Sequence, residues 1–269
     1  MRPDGVSIPA GLIVFAVIWC SATSWANDLL KPNKPCFDAA YALYSAVPTW
    51  ALVDAIEMIR PHLSAEGYVV SAQNGLNELS ISGVVGERAT VGAFVNFGAD
   101  WHGPGKVLFG NRGAVVVGEI DGTTLDRTKE IHKLLQIFEP DAVLTENIWG
   151  YLWGKLAYGA MLFATALNND SMADNFADQH RTKLWIAIGR EVMGLATKKG
   201  IQPLGFNGFD PIAYLPGATD SEAQTSVKEM AEFNRMSAKT HSGIWRDLAV
   251  RKRKTEVTEQ LGILVELAN

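Results

Sequence analysis

Residues Asn147–Asn169 read NIWGYLWGKLAYGAMLFATALNN. The stretch has no proline and many good helix formers, so it predicts a helix. Apolar, small and aromatic residues fall on all its sides, which marks a buried helix rather than a surface one. Its one cation is Lys155. A buried ammonium is costly without a partner. Burial also draws its pKa towards neutrality, where a lysine can donate a proton. The competing reading is a lysine near a helix start that snorkels to solvent. Residues four apart share a helix face, which aligns Lys155, Gly159 and Phe163. Gly159 either opens room for a small ligand or notches the helix for close packing.

Before this helix the patterns are mixed. AAYALYSAV (39–47) reads as a short buried strand, ALVDAIEMIRPHL (51–63) as an amphipathic helix, and YVVSA (68–72) as a strand running into Gln73-Asn74-Gly75-Leu76. Strand, helix and strand at this spacing predict a right-handed parallel crossover. Asn74-Gly75 then stands at the carboxyl end of a parallel strand, where ligands bind in open α/β sheets; it is also a favourable turn pair. Glycine-rich alternation over Thr90–Asp121 predicts three antiparallel strands, with turns at His102–Gly105 and Gly110–Gly113. Asp126–Phe138 reads as a helix and Ala142–Leu144 as a short strand.

After Asn147 the strand signals stop. Lys183–Lys199 is helical and closes on Gly200. A Gly/Pro-rich loop covers Phe206–Gly217, and helical patterns return over Glu222–Ala238 and Gly243–Leu267. The expected division is an apolar segment at 1–38, an α/β part at 39–146 and an all-α part at 147–269.

The bulk properties narrow the function classes. A chain of 269 residues that is 48% hydrophobic can bury one large core or two ordinary ones. A net charge of −5 gives no global attraction to nucleic acid or an anionic membrane. Cys20 and Cys36 make neither a disulfide framework nor a metal motif. His62, His102, His132, His180 and His241 lie far apart, without zinc-ligand spacing, so no metal is expected.

The first forty residues are unusual. No charge lies between Asp4 and Asp28, and GLIVFAVIWC (11–20) is strongly apolar. Arg2, the apolar run and Ser24-Trp25-Ala26 resemble a secretory signal, and the run over 6–26 is also long enough for a membrane anchor. Asp4 and Pro9 fit neither pattern, which leaves a segment outside the fold as a third reading. The run carries no polar alternation tying it to a sheet, so residues 1–38 are expected to be dispensable for the fold. Farther on, Arg251-Lys252-Arg253-Lys254 is either a solvated surface or a face towards an anionic ligand.

Four motifs in order carry a family resemblance: Gln73-Asn74-Gly75 after a strand, Trp153-Gly154-Lys155-Leu156 opening the helical part, Ser242 to Asp247, and Thr255-Glu256. Together, over about Tyr41 to Gly262, they resemble ketopantoate reductase (2-dehydropantoate 2-reductase). The resemblance implies a partial Rossmann-like sheet with antiparallel strands, followed by an all-α substrate and dimerisation domain. It implies NADPH-dependent reduction of a 2-keto acid, such as 2-dehydropantoate, to the 2-hydroxy acid. It assigns Lys155 as general acid, Glu256 as a catalytic-site carboxylate that binds substrate, Asn74 to the cofactor near the nicotinamide, and Ser242 to the substrate. It also implies a cytoplasmic protein, with a homodimer as a further association.

The sequence departs from the family in three places. No GxGxxG occurs anywhere in it, so the glycine loop that brings a pyrophosphate to a helix N-terminus is missing. Met1–Asp38 stands where the first half of the Rossmann domain is expected. Pro48 aligns with a lysine that approaches the cofactor phosphate, and Gly159 and Phe163 align with two asparagines. The expectation is therefore weak NADPH binding, and a 2-keto acid other than ketopantoate as substrate. The alternatives are a truncated, non-catalytic relative acting as a binding or dimerisation module, and an exported or anchored small-molecule binding protein.

Overall fold

The structure, a computed structural model, describes Val14–Phe15 and residues 49–269 except 104–105. A mixed sheet orders its five strands as they occur in the chain: β1 (Val14–Phe15), β2 (Val69–Ser71), β3 (Thr90–Gly103), β4 (Lys106–Glu119) and β5 (Val143–Leu144). β1, β2 and β3 are parallel, β4 runs antiparallel to β3, and β5 is parallel to β4. The pairing of Val14 with Val69 and Phe15 with Val70 corrects the expectation that residues 1–38 have no tie to the sheet. The strand expected at 39–47, the signal-like end at 24–26 and both cysteines lie outside the described residues.

The short strand β2 shows why this part is layered. Val69 and Val70 are both fully buried, as a parallel strand covered on two faces must be. Val69 packs with Leu52, Ala55 and Ile56 of helix α1 (Leu52–Ile59) and with Ile81 of α2 (Asn77–Val85). Val70 packs on the opposite side with Val91, Val117 and Ile131, the last from α3 (Asp126–Phe138). Helices α1 and α2 thus cover one face and α3 the other. α2 is absent from the sequence reading because Ser80, Ser82 and Gly83 break any apolar periodicity in NELSISGVV.

The three strands expected over Thr90–Asp121 are two. β3 and β4 form one long hairpin, and Gly110–Gly113 lies within β4 instead of turning. The pairing shifts register between Asn96 and Gly98, opposite Asn111–Ala114. A β-carbon on Gly113 would fall 1.4 Å from the Asn96 carbonyl oxygen, and one on Gly98 2.2 Å from Asn111 Oδ1. These glycines therefore serve a bulge where backbones crowd, a use that looks like turn chemistry in sequence.

The expected buried helix is α4 (Ile148–Thr165), capped by Asn147, whose side chain accepts from the Gly150 amide at 2.9 Å. It is followed by α5 (Met172–Ala177), α6 (Thr182–Lys198), α7 (Asp220–Arg235), a short α8 (Gly243–Trp245) leading into a π-helical turn at Arg246–Val250, and α9 (Val257–Ala268). An α/β part followed by a helical part is the fold class the sequence implied. The helix expected over 243–267 is interrupted at the basic run, where Arg251 and Arg253 both pair with Asp247 and Lys252 takes a positive φ. The largest apolar cluster joins Phe94 and Val116 of the sheet to α4, α6 and α7.

Two glycines on α4 do opposite things. A β-carbon on Gly154 would sit 2.4 Å from the Leu204 carbonyl oxygen, whereas one on Gly159 meets nothing within 4 Å. Close packing therefore belongs to Gly154, and Gly159 faces open space. Gly154→Ala should destabilise the protein by about 1–3 kcal/mol because backbone cannot move aside cheaply. Gly159→Ala should stabilise it by up to about 1 kcal/mol through helix propensity. Thermal melts of the two variants check this contrast; equal effects would contradict it.

Candidate active site

The seat of α4 on the sheet sets the position of Lys155. Gly92 of β3 and Gly118 of β4 are cross-strand partners, and Ile148 fills the space above them. Trp149 Nε1 also donates to the Ile120 carbonyl at 2.8 Å. From this anchor the next two turns carry Lys155 over β3. Its ammonium donates to the Val95 carbonyl oxygen and stands 5.1 Å from the centre of the Phe94 ring.

Along α4, Tyr151, Lys155, Gly159 and Phe163 are partly exposed while the residues between them are mostly buried. The helix is thus buried as expected except for one open stripe, and Lys155 lies on it. The alignment of Lys155, Gly159 and Phe163 holds, and the open space beside Gly159 excludes a packing notch there. Burial pushes the Lys155 ammonium down to about 7; Glu78 opposes this and Lys239 adds to it. An ammonium that gives up its proton near neutrality, on an open stripe, is equipped to protonate a bound ligand.

The turn after β2 is the second component. Gly75 has φ of 106°, a left-handed conformation that suits glycine. Asn77 Nδ2 donates to the Asn74 carbonyl at 2.9 Å and braces the turn. Buried around it are polar atoms without a hydrogen bond of ordinary geometry: Ser71 Oγ, Asn74 Oδ1 and both carboxyl oxygens of Glu78. Glu78 has no exposed surface. Burial pushes its carboxyl up to about 8, partly opposed by the neighbouring Ser71 hydroxyl, the Ala93 backbone and Lys155. Sequence reading missed Glu78. The available signal was an acidic residue one helical turn beyond Asn74, in a stretch without visible periodicity.

Glu256 and Ser242 come from the end of the chain. Glu256 Oε1 accepts from the Thr49 amide at 3.1 Å, and Oε2 accepts from Gln260 Nε2 at 3.0 Å. Gln260 lies against Gly75, where an added β-carbon would come 3.7 Å from its Cα. Ser242 is buried, and its Oγ accepts from the Trp245 amide at 3.1 Å as the cap of α8. Helices α8 and α9 both pack on α4. The turn at 71–78 thus meets the Glu256 segment at Gly75. No hydrogen bond or ion pair joins Lys155 to Glu256 among the described residues; the charges acting on Lys155 are those of Glu78 and Lys239.

Lys239 adds a second cation along the same strand. Its Nζ donates to the Ala99 carbonyl at 3.2 Å, four residues beyond the carbonyl that holds Lys155. Between them Asn207 Nδ2 donates to the Asn96 carbonyl at 3.1 Å. The helical part thus grips β3 by three of its carbonyls. No group of three or more His, Cys, Asp or Glu residues is disposed to hold a metal among the described residues, and no helix among them is long and apolar enough to cross a membrane.

Comparison with known proteins supports the resemblance. Residues 41–122 match the family model for ketopantoate reductase PanE/ApbA. Among solved structures, D-mandelate dehydrogenase in complex with NADH superposes with a TM-score of 0.66 at 17% identity, over 82% of this chain and 70% of that one. A 2-dehydropantoate 2-reductase from Geobacter metallireducens GS-15 gives 0.65 at 18%, over 81% and 67%. A dimeric ketopantoate reductase from Staphylococcus aureus gives 0.57 at 19%, over 83% and 68%. At these identities the likeness is one of fold, and this chain spans about two thirds of the length of each. Asn74 and Glu78 fall within the family match, whereas Lys155, Ser242 and Glu256 lie beyond it. Over residues 41–122, then, this chain carries the sequence pattern of the ketopantoate reductase PanE/ApbA family, as its motifs led us to expect.

Proposed function

We propose that this protein reduces the ketone of a 2-keto acid with a nicotinamide dinucleotide, NADPH in the first instance, to give the 2-hydroxy acid. The observation that carries the reading is Lys155: an ammonium held on the Val95 carbonyl, drawn by burial towards neutrality, on the open stripe of α4 one turn before the open space at Gly159. Hydride arriving at a carbonyl carbon builds negative charge on its oxygen, which an adjacent ammonium stabilises and protonates. Lys155 is assigned that role. Glu256 and Ser242 are assigned to the substrate, and 2-dehydropantoate is the reference substrate. Gly159 and Phe163 offer a 2-keto acid an apolar, roomy wall, which favours one with an apolar side chain.

Asn74 suits the cofactor end of the reaction. Its buried, unpartnered Oδ1 can accept a hydrogen bond from the nicotinamide carboxamide. The dinucleotide supplies the hydride; the chain's own residues orient the ketone and deliver the proton. With no GxGxxG in the sequence, the pyrophosphate has no glycine loop to receive it, and binding should be weaker than micromolar. Calorimetric titration with NADPH checks this; a micromolar dissociation constant would mean that other residues hold the pyrophosphate.

The reductase reading is tested by incubating the full chain with millimolar NADPH or NADH and a panel of 2-keto acids, following nicotinamide oxidation. Acid-dependent oxidation is the expected result. The missing glycine loop also favours a second reading, a non-catalytic relative that binds a keto acid or pairs with a second copy. Substrate binding with no oxidation across the panel would select it. Sedimentation of the same preparation tests the homodimer.

A further inference from the structure

We propose that the Phe206–Phe209 turn is the positioning element for Lys155, and that Asn207 is its decisive residue: it fixes the stretch of β3 whose Val95 carbonyl receives the lysine ammonium. This inference rests on the reductase reading of Lys155. It adds a positioning residue that acts through β3 and is assigned no contact with substrate or cofactor.

The need for such an element arises in the sheet. β2 pairs with β3 over Thr90–Gly92, and from Ala93 onward β4 is the strand neighbour of β3. That pairing is regular as far as Asn96 and shifts before Gly98. Val95, whose carbonyl accepts from Lys155 Nζ, therefore lies one residue short of the bulge. A ladder is locally disrupted at a bulge, so the carbonyl that holds the ammonium needs support from outside the sheet.

The loop after α6 reaches both partners of this hydrogen bond. On the α4 side the Leu204 amide donates to the Gly150 carbonyl at 3.0 Å, and the Leu204 carbonyl lies against Gly154, the residue before Lys155. On the β3 side the Phe206 ring meets Phe94 edge-on at 4.8 Å, and Asn207 Nδ2 donates to the Asn96 carbonyl at 3.1 Å. Phe94 and Asn96 flank Val95, so one turn holds the residues on either side of it.

The turn owes its shape to its sequence. Phe206 and Phe209 exchange backbone hydrogen bonds of 3.1 and 2.8 Å. Between them Asn207 and Gly208 take φ of 48° and 79°, the left-handed pair that closes a two-residue hairpin. A β-carbon on Gly208 would come 2.8 Å from the Glu229 carbonyl oxygen, which seats the turn on α7. Glycine would satisfy the backbone at 207 without strain. What asparagine adds there is the amide that reaches Asn96. A carbonyl held in place orients Nζ and favours its charged form, and both matter to a proton donor.

The test reads Lys155 in the full chain. The rate at which an amine-acylating reagent modifies Lys155, followed by mass spectrometry of its peptide across pH, reports the midpoint of its titration. Asn207→Gly keeps the left-handed backbone and deletes the amide. It should lower that midpoint by about half a pH unit or more. Turnover should fall several-fold while the Michaelis constant for the keto acid changes little. Glu78 of α2 and Lys239 after α7, the charged groups that act on Lys155, are untouched by the substitution. Ser226→Ala is the control: it takes the acceptor from the Asp210 amide farther along the same loop and should leave the midpoint in place. A wild-type midpoint in Asn207→Gly, or an equal shift in Ser226→Ala, would overturn the inference. The first would mean that Asn207 only stabilises its loop, the second that any loosening of the loop reaches Lys155. Should Asn207→Gly fail to fold, Phe206→Leu removes the ring from Phe94 and keeps an apolar filling, and an unmoved midpoint there would equally overturn it. A lowered midpoint in a protein that reduces nothing would uphold the positioning and refute the reductase reading.

Discussion

Lys155→Ala is expected to lower turnover by on the order of a hundredfold or more, with the Michaelis constant for the keto acid changed only a few-fold. In the proposed reduction the ammonium acts on charge that develops only as hydride arrives, so its removal should be felt in the transition state more than in the bound ground state. Glu256→Ala should do the reverse and act mainly on the Michaelis constant, since its assigned role is binding. In the proposed reduction the working form of Lys155 is the protonated one. Turnover should therefore fall as pH is raised through about 7, where burial has placed its titration. Steady-state kinetics of the two variants across pH check all three expectations. Unchanged turnover in Lys155→Ala would leave the lysine a partly exposed residue on a buried helix.

The largest expected loss of stability is at Trp185, which supports α4 from behind. Trp185 is 1% exposed, and its Nε1 donates to the Asn175 carbonyl at 3.1 Å. Its ring meets Phe176 edge-on at 5.3 Å, and Phe176 stacks on Tyr158 of α4 at 6.2 Å. Trp185→Ala removes the ring from this series and leaves a buried carbonyl without its donor. The cost should be about 3–5 kcal/mol, a fall in melting temperature on the order of 10 °C for a protein of this size. Differential scanning calorimetry measures it. A fall of only a degree or two would mean that the aromatic series is not part of the cooperative core.

How much of this was legible in the sequence depended on how each local pattern arises. The helix at 148–165 was plain because eighteen residues without proline or a second charge admit little else. Its open stripe was half legible: the spacing of Lys155, Gly159 and Phe163 predicts a shared face, but only packing separates the crowded Gly154 from the free Gly159. The β3–β4 hairpin was misread as three strands because glycines that relieve a bulge at 98–113 look the same as glycines that make a turn. The cost of burying an ammonium predicts a partner for Lys155, and the structure supplies the Val95 carbonyl and the Phe94 ring face. A carbonyl oxygen and a ring face leave no mark in sequence. Glu78 did leave one, yet an isolated glutamate amid serines and small residues reads as surface until α2 is folded beneath the sheet.

In the proposed reaction one chemical event is central, hydride delivered to the ketone carbon of a 2-keto acid while Lys155 protonates the oxygen. Its most direct measurement is isotope transfer in the full chain, supplied with millimolar NADPH carrying deuterium at the transferring C4 position and a 2-keto acid with an apolar side chain. Mass spectrometry of the product should find a 2-hydroxy acid with one deuterium at C2, formed by the wild-type protein and nearly lost in Lys155→Ala. Absence of the hydroxy acid from the wild-type reaction, or equal labelling by the Lys155→Ala protein, would contradict it.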